Sequence, residues 1–168
     1  MTDFTVRTAR TSDVPAIAAL IEPLVQARIL LGKERVVFYE AVQEFRVAEA
    51  ADGTLIGCGA LHVMWADLGE VRTLAVASEW LGRGVGHALV DRLEADARAL
   101  GLSRLFCLTF EVPFFERHGF ADMGAETVDP EVYAELVRST DDGVAEFLDL
   151  ARVKQNTLGN TRMLKLLV

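Results

Sequence analysis

Three glycines in the middle of the chain have the spacing of a backbone that another molecule approaches closely. Gly82, Gly84 and Gly86 alternate with Arg83 and Val85 in the stretch LAVASEWLGRGVGHALV, between an apolar run and a helical pattern. The start of a helix leaves backbone N–H groups unpaired, and the helix dipole favours an anion there. The pattern therefore indicates phosphate binding, with Arg83 adding a positive charge. A glycine-rich connection that holds no ligand is the alternative.

The spacing of these glycines excludes two common phosphate-binding loops. A dinucleotide-binding loop requires G-x-G-x-x-G, but the last position is His87 when counted from Gly82, and Leu89 when counted from Gly84. A P-loop requires G-x-x-x-x-G-K followed by Ser or Thr, and the sequence contains no such run.

The cysteines and histidines predict no metal site. Cys58 and Cys107 each lie inside an apolar run, LIGCGAL and RLFCLTF, which favours buried reduced thiols over a disulfide or a nucleophile. His62, His87 and His118 have no cysteine or carboxylate at a spacing typical of catalysis or metal binding. Ordinary structural roles are therefore favoured, although His87 faces the predicted phosphate site.

Composition narrows the class of protein. The chain has 168 residues, of which 51% are apolar, enough for one domain with a sizeable core. A net charge of −8 argues against nucleic-acid binding. No apolar run reaches the roughly 18–20 residues of a membrane span, and the alternating, charged N-terminus does not resemble a signal peptide. We expect one cytoplasmic domain over residues 1–168, with no nucleic-acid or membrane partner.

Hydrophobic periodicity predicts a mixed α/β domain. Strands are expected near residues 4–6, 45–48, 55–64, 70–76, 103–110 and 161–168, and helices at 11–27, after the glycine turn up to Gly101, at 112–119 and at 129–139. Pro23 should kink or interrupt the first helix. Residues 27–43 are expected to form a polar connection.

These motifs resemble the acetyl-CoA-binding motif of the GNAT N-acetyltransferase superfamily. The family pattern (Q/R)-x-x-G-x-(G/A) matches residues 81–86, with Leu81 in place of the usual Gln or Arg. A second element, written F-Y-x-x-x-G-F, follows in order as FFERHGF at 114–120, with Phe115 at the Tyr position. The resemblance implies a GNAT-like fold, a mixed and mostly antiparallel sheet of about six or seven strands flanked by helices.

The resemblance also implies the co-substrate, acetyl-CoA. Backbone amides of the glycine turn would hold its pyrophosphate, and the strand before the turn would pair with the pantetheine arm and stabilise the oxyanion. The arm would enter where the strands at 70–76 and 104–109 splay apart. The predicted cofactor-binding residues are Leu74, Ala75, Val76, Gly82, Arg83, Gly84, Val85, Gly86, His87, Ala88 and Phe115.

Acetyl transfer to an amine requires a base, because only the neutral amine attacks. In several GNAT enzymes the glutamate of an E-x-x-x-x-A-V stretch is that base, often through water, and Glu70 occupies this position. A solvated acid paired with Arg72 is the alternative. Because Phe115 replaces the tyrosine that often serves as general acid, water or the substrate ammonium would protonate the thiolate.

A narrower resemblance suggests the acceptor. The stretches IGCGALHV, GEVRTLAV, RLFCLTFEVPFFERHGF and NTRMLKLL are similar to the acetyltransferase domain of N-acetylglutamate synthases, in a short form without a kinase-like domain. This implies transfer to the α-amino group of L-glutamate in arginine biosynthesis, and makes a homodimer the default.

Two glutamate carboxylates require cations. Gly159 replaces the first Arg of the family stretch R-x-S-K-V-L, which puts the identity of the carboxylate-binding residues in question. The predicted substrate-binding residues are Arg28, Lys33, Arg72, Thr109, Thr161 and Arg162, with Arg35 as a further candidate. Another amine acceptor (a different amino acid, a polyamine or a protein N-terminus) and a non-catalytic acetyl-CoA-binding regulatory module remain open.

Overall fold

The computed structural model describes residues 3–167. Met1, Thr2 and Val168, which fall within the predicted domain and closing strand, lie outside the described residues. The chain divides into two compact units, one of residues 3–62 and 71–100, the other of residues 63–70 and 101–167. Among residues 3–167, the structure contains no helix with the length and apolar character of a membrane span.

The first unit contains most of the N-terminal half of the chain. Its elements are β1 (Phe4–Thr8), α1 (Val14–Gln26), α2 (Arg35–Glu40), β2 (Phe45–Ala50), β3 (Leu55–Val63, whose last residue belongs to the second unit), the larger part of β4 (Leu68–Val76) and α3 (Val85–Ala99). β1 pairs antiparallel with β2, and β2 pairs antiparallel with β3. α1 buries Val14, Ile17 and Ile21 in one core cluster, while the start of α3 packs against Ile56 in another.

The second unit begins with the first residues of β4. The remaining elements are β5 (Arg104–Thr109), α4 (Val112–Arg117), β6 (Ala121–Asp122), α5 (Pro130–Leu136), α6 (Asp142–Phe147), α7 (Lys154–Thr157) and β7 (Thr161–Leu166). β4 is parallel to β5 from Leu68↔Arg104 to Glu70↔Phe106, and β7 is antiparallel to both β5 and β6. The rings of Phe106 and Phe147 meet edge to face in this unit's core, 5.4 Å between centroids.

The strand order is β1-β2-β3-β4-β5-β7-β6, a seven-stranded mixed sheet. This confirms the predicted fold class. One local expectation is wrong, because the predicted polar connection at 27–43 contains α2, which buries Phe38. Pro23 does not interrupt α1, which runs through it to Gln26, and the alternative of a kink at Pro23 stays a prediction. The short elements β6, α6 and α7 were not predicted.

Candidate functional site

The glycine turn adopts a backbone conformation that only glycine takes without strain. Gly82 and Gly84 have φ angles of +75° and +84°, in the left-handed region. A Cβ built on either residue would meet no atom within 4 Å. Glycine is therefore needed at both positions for the left-handed backbone and not to make room for a neighbouring side chain. The space beside both residues is open. Gly86 lies inside α3 and is half-buried.

The helix that follows presents a suitable anion-binding end. Gly84 is the N-cap of α3, a helix of 15 residues, and no side chain caps it. Its first turn carries no acidic residue. The amide groups of a first helical turn have no carbonyl partner within the helix, and the helix dipole places partial positive charge there. Ala88 N–H makes the first intrahelical bond, to Gly84 O at 3.0 Å.

An aromatic residue supports the arginine of this turn. The Arg83 guanidinium carbon lies 4.9 Å from the ring centroid of Trp80, a cation–π geometry. Phe4 contacts the same indole edge to face at 6.4 Å between centroids. The sequence interpretation did not single out Trp80, because an aromatic residue before a glycine turn has no distinctive spacing.

The β4 backbone contains an unexpected conformation just before the predicted cofactor-binding residues. Thr73 has a φ of +54°, which is a true outlier for a β-branched residue. Leu74 and Val76 are half-buried and Ala75 is buried. Sequence reasoning missed Thr73, since a threonine inside a strand is ordinarily taken as extended.

Glu70 is a buried acid on the second-unit portion of β4. It is 4% exposed and stands opposite Phe106 in the parallel ladder with β5. Its charge, added to the larger effect of burial, raises the pKa of the neighbouring Cys107 thiol well above the usual value. A carboxylate in this position is shielded from bulk water.

Both cysteines are free buried thiols, as predicted. Burial raises the pKa of Cys58 to about 12, against a smaller lowering by the backbone N–H of Ala75. Both groups are therefore neutral thiols at physiological pH and are poor nucleophiles.

The structure brings together two residues predicted to bind the acceptor. Thr109 ends β5 and Thr161 begins β7, and the two are direct cross-strand partners. Thr109 is 8% exposed, and its hydroxyl accepts a hydrogen bond from Glu111 N–H at 2.8 Å. The turn after β5 thus orients the hydroxyl of Thr109, and the β5–β7 ladder places Thr161 opposite Thr109.

Arg162 is held by the end of a helix. Its Nε donates to the carbonyl of Glu146 at 3.0 Å and its Nη2 donates to the carbonyl of Phe147. Both carbonyls belong to the last turn of α6, where a cation complements the helix dipole. Together with Thr161, Asp122 and Asp149, Arg162 lines an open cleft of about 300 Å³.

The other predicted side chains lie on different elements. Arg28 and Lys33 are exposed in the segment between α1 and α2, and Arg72 is half-buried on β4. Phe115 is 5% exposed and packs edge to face against Phe114 and Phe120. The assignments of all these residues to cofactor or acceptor remain predictions.

Known proteins with similar sequences are acetyltransferases. Residues 22–120 match the model of the Acetyltransferase (GNAT) family. An amino-acid acetyltransferase of Mycobacterium tuberculosis is 58% identical over 96% of this chain and 94% of its own length. An amino-acid acetyltransferase of Pseudomonas putida is 38% identical over 72% of this chain, but the match covers only 28% of that protein.

Solved structures agree. Rv2747 of Mycobacterium tuberculosis, crystallised with CoA and NLQ, has a TM-score of 0.93 at 57% identity, over 98% of this chain and 99% of that one. N-acetylglutamate synthase of Neisseria gonorrhoeae, crystallised with coenzyme A and N-acetyl-glutamate, has a TM-score of 0.76 at 29% identity, over 98% of this chain and 35% of that one. The chain therefore belongs to the GNAT acetyltransferase family.

Proposed function

We propose that this acetyltransferase moves the acetyl group of acetyl-CoA to the α-amino group of L-glutamate. The observation that carries acetyl-CoA binding is the pair of left-handed glycines immediately before the uncapped, acid-free start of α3. The acceptor is supported by the relatives named amino-acid acetyltransferase and by the N-acetylglutamate synthase structure. As a source of N-acetylglutamate the enzyme would serve arginine biosynthesis in the cytoplasm.

The cofactor would be held mainly by backbone groups. The pyrophosphate would accept hydrogen bonds from amides at the start of α3, with Arg83 adding charge. The pantetheine arm carries amides that can pair with the backbone of Leu74 to Val76 as an added strand. A donor from this segment would also stabilise the oxyanion that forms on the acetyl carbonyl.

The chemical step needs a proton acceptor. Glu70, acting through a water molecule, would take a proton from the substrate ammonium, and the neutral amine would then attack the thioester carbonyl. Collapse of the tetrahedral intermediate breaks the C–S bond and releases the thiolate of CoA, which takes a proton from water or from the amine. The products are the N-acetylated amino acid and CoA.

Recognition of the acceptor would combine hydroxyl groups with cations. Thr109 and Thr161 face each other at the same end of β5 and β7. Arg162 has its orientation fixed by the carbonyls of α6, which suits a guanidinium that must meet a carboxylate in one geometry. Arg28, Lys33 and Arg72 remain candidates for the second carboxylate.

A different amino acid is the second candidate acceptor. The structure with a TM-score of 0.93 was crystallised with NLQ, whereas the synthase of lower identity was crystallised with N-acetyl-glutamate. The acceptor must therefore be assigned by comparing kcat/KM for several amino acids rather than by assaying one.

The test measures thiol release from acetyl-CoA with a panel of amines: L-glutamate, D-glutamate, L-glutamine, L-aspartate, spermidine and a peptide with a free N-terminus. Products are identified by mass. The proposal expects the highest kcat/KM with L-glutamate and an acetylated α-amino group. Faster release with L-glutamine supports the second candidate, and release only with spermidine or the peptide contradicts both.

The role of Glu70 has a matched control on α3. E70Q should lower kcat by about a hundredfold or more and remove the acidic limb of the pH–rate profile. E94Q removes another buried carboxylate, 7% exposed and 3.5 Å from Arg98, and should keep the wild-type profile. Wild-type turnover of E70Q across the pH range would exclude Glu70 as the base.

A further inference from the structure

The backbone at Thr73 is held in a conformation that its own side chain opposes. With a φ of +54°, a β-branched residue brings its Cβ close to its own backbone. Such conformations persist only where the surroundings restrain them. Thr73 directly precedes Leu74, the first residue of the backbone segment proposed to contact the pantetheine and the thioester.

A thiol from β3 contacts this segment directly before Leu74. Cys58 Sγ lies 3.5 Å from the carbonyl oxygen of Thr73, to which its S–H donates. The backbone N–H of Ala75 slightly lowers the pKa of the same thiol, against the larger increase caused by burial. Cys58 is 0% exposed, so bulk water does not reach its sulfur. The thiol thus donates to the peptide group that joins Thr73 to Leu74.

The residues on either side of Cys58 restrict the same segment. Gly57 and Gly59 flank it on β3, and a Cβ on Gly57 would lie 3.3 Å from the carbonyl oxygen of Ala75. A Cβ on Gly59 would lie 3.1 Å from Leu74 Cδ1. β3 therefore lies close to the backbone of Ala75 at Gly57 and to the side chain of Leu74 at Gly59, with the hydrogen-bonding sulfur of Cys58 between them.

We propose that Cys58 is a positioning residue for acetyl transfer, whose thiol holds the left-handed backbone at Thr73 and thereby orients the peptide groups of Leu74 and Ala75. This inference rests on the proposed use of that backbone by acetyl-CoA. Without the sulfur, Thr73 can relax toward the extended region, which rotates the adjoining peptide groups. A small displacement of groups that contact a reacting centre has a large effect on rate.

The test compares three variants of the full chain. C58A removes the sulfur contact to the Thr73 carbonyl and should lower kcat/KM for acetyl-CoA by about tenfold or more. C58S retains a donor and an acceptor and should recover most of that loss. V47A removes buried volume from the same core cluster at the cross-strand partner of Cys58, and should lower thermal stability while changing kcat/KM by less than about twofold.

A double-mutant cycle isolates the restraint from packing. Glycine takes a positive φ without strain, so T73G removes the need for the sulfur. On the T73G background, C58A should change kcat/KM by less than about twofold. An equal loss on both backgrounds, or an equal loss in V47A, would overturn the proposal, because the sulfur would then act through packing alone.

Amide hydrogen exchange separates this inference from the proposed function. C58A should accelerate exchange at Leu74 and Ala75 relative to V47A, and C58S should restore protection. If the wild type acetylates no amine, the proposed function fails while the exchange rates still test the restraint. Unchanged exchange at both amides in C58A would exclude the thiol as the restraint.

Discussion

The glycine turn allows a test in which conformational strain and ligand contact are separated. Gly84 has a φ of +84° and Gly53, in the turn between β2 and β3, has a φ of +87°. A Cβ would meet nothing within 4 Å at either position. G84A and G53A therefore carry the same penalty, the cost of a left-handed alanine, which is about 1–2 kcal/mol. For a chain of this size that corresponds to a Tm decrease of roughly 2–8 °C.

The two variants should differ only in acetyl-CoA binding. The open space at Gly84 is where the pyrophosphate is proposed to lie, so a methyl group there displaces the phosphate from the amides of α3. Loss of one charge-assisted hydrogen bond is worth about 1.5–3 kcal/mol, or roughly a 10- to 150-fold rise in the Kd for CoA. G53A should keep the wild-type Kd.

The measurement is calorimetric titration with CoA, alongside urea unfolding of each variant. Since CoA itself is the ligand, the result does not depend on which amine accepts the acetyl group. Equal stability losses combined with an unchanged Kd for G84A would refute the phosphate site. A raised Kd for G53A would show that loss of stability alone weakens binding.

Two further predictions follow from charge and burial. Asp13 is 7% exposed, and its pKa is lowered mainly by the hydrogen-bonded Arg7 guanidinium. The ion pair therefore stabilises the folded protein at neutral pH, and this stabilisation is lost as the pH falls below the pKa of about 4 that Asp has in the unfolded chain. D13N should therefore be less stable than wild type at pH 7 by about 1.5–3 kcal/mol in urea unfolding, with the difference shrinking by pH 3; a difference independent of pH contradicts this. Cys58 and Cys107 should resist a thiol-specific reagent at pH 8 in the folded protein and react fully in urea. The reason is that burial raises the pKa of both thiols and keeps them protonated. Fast reaction of either thiol in the native state would contradict its burial.

Local sequence signals predicted the elements that are long or conformationally demanding. The glycines at 82 and 84 were informative because a left-handed backbone selects glycine, and α3 was clear because it shows its apolar face over 15 residues. α2 has six residues and buries only Phe38 among them, so periodicity had too little length to appear. β6 has two residues and depends entirely on its pairing with β7.

The contacts of Arg162 illustrate what residue type alone leaves open. An arginine next to a threonine was interpreted as a carboxylate-binding cation, and nothing in its neighbours indicates the last turn of α6. The structure gives it two carbonyl partners, 15 and 16 residues earlier in the chain. These hydrogen bonds fix the orientation of the guanidinium. The sequence indicates the charge of Arg162 but not this orientation.

The proposed cofactor-binding groups and the proposed acceptor-binding groups are encoded in different ways. The proposed cofactor-binding groups follow one another along the chain from Leu74 to Ala88 and act mostly through the backbone, so one motif reveals them. The proposed acceptor-binding groups come from separate segments: Thr109 meets Thr161 only through the β5–β7 ladder. Substitutions in β7 would therefore change the proposed acceptor-binding groups without changing the residues of the glycine turn. Acetyl-CoA binding is therefore the part of the function that the sequence predicts most directly, and the acceptor is the part that requires the panel of amines.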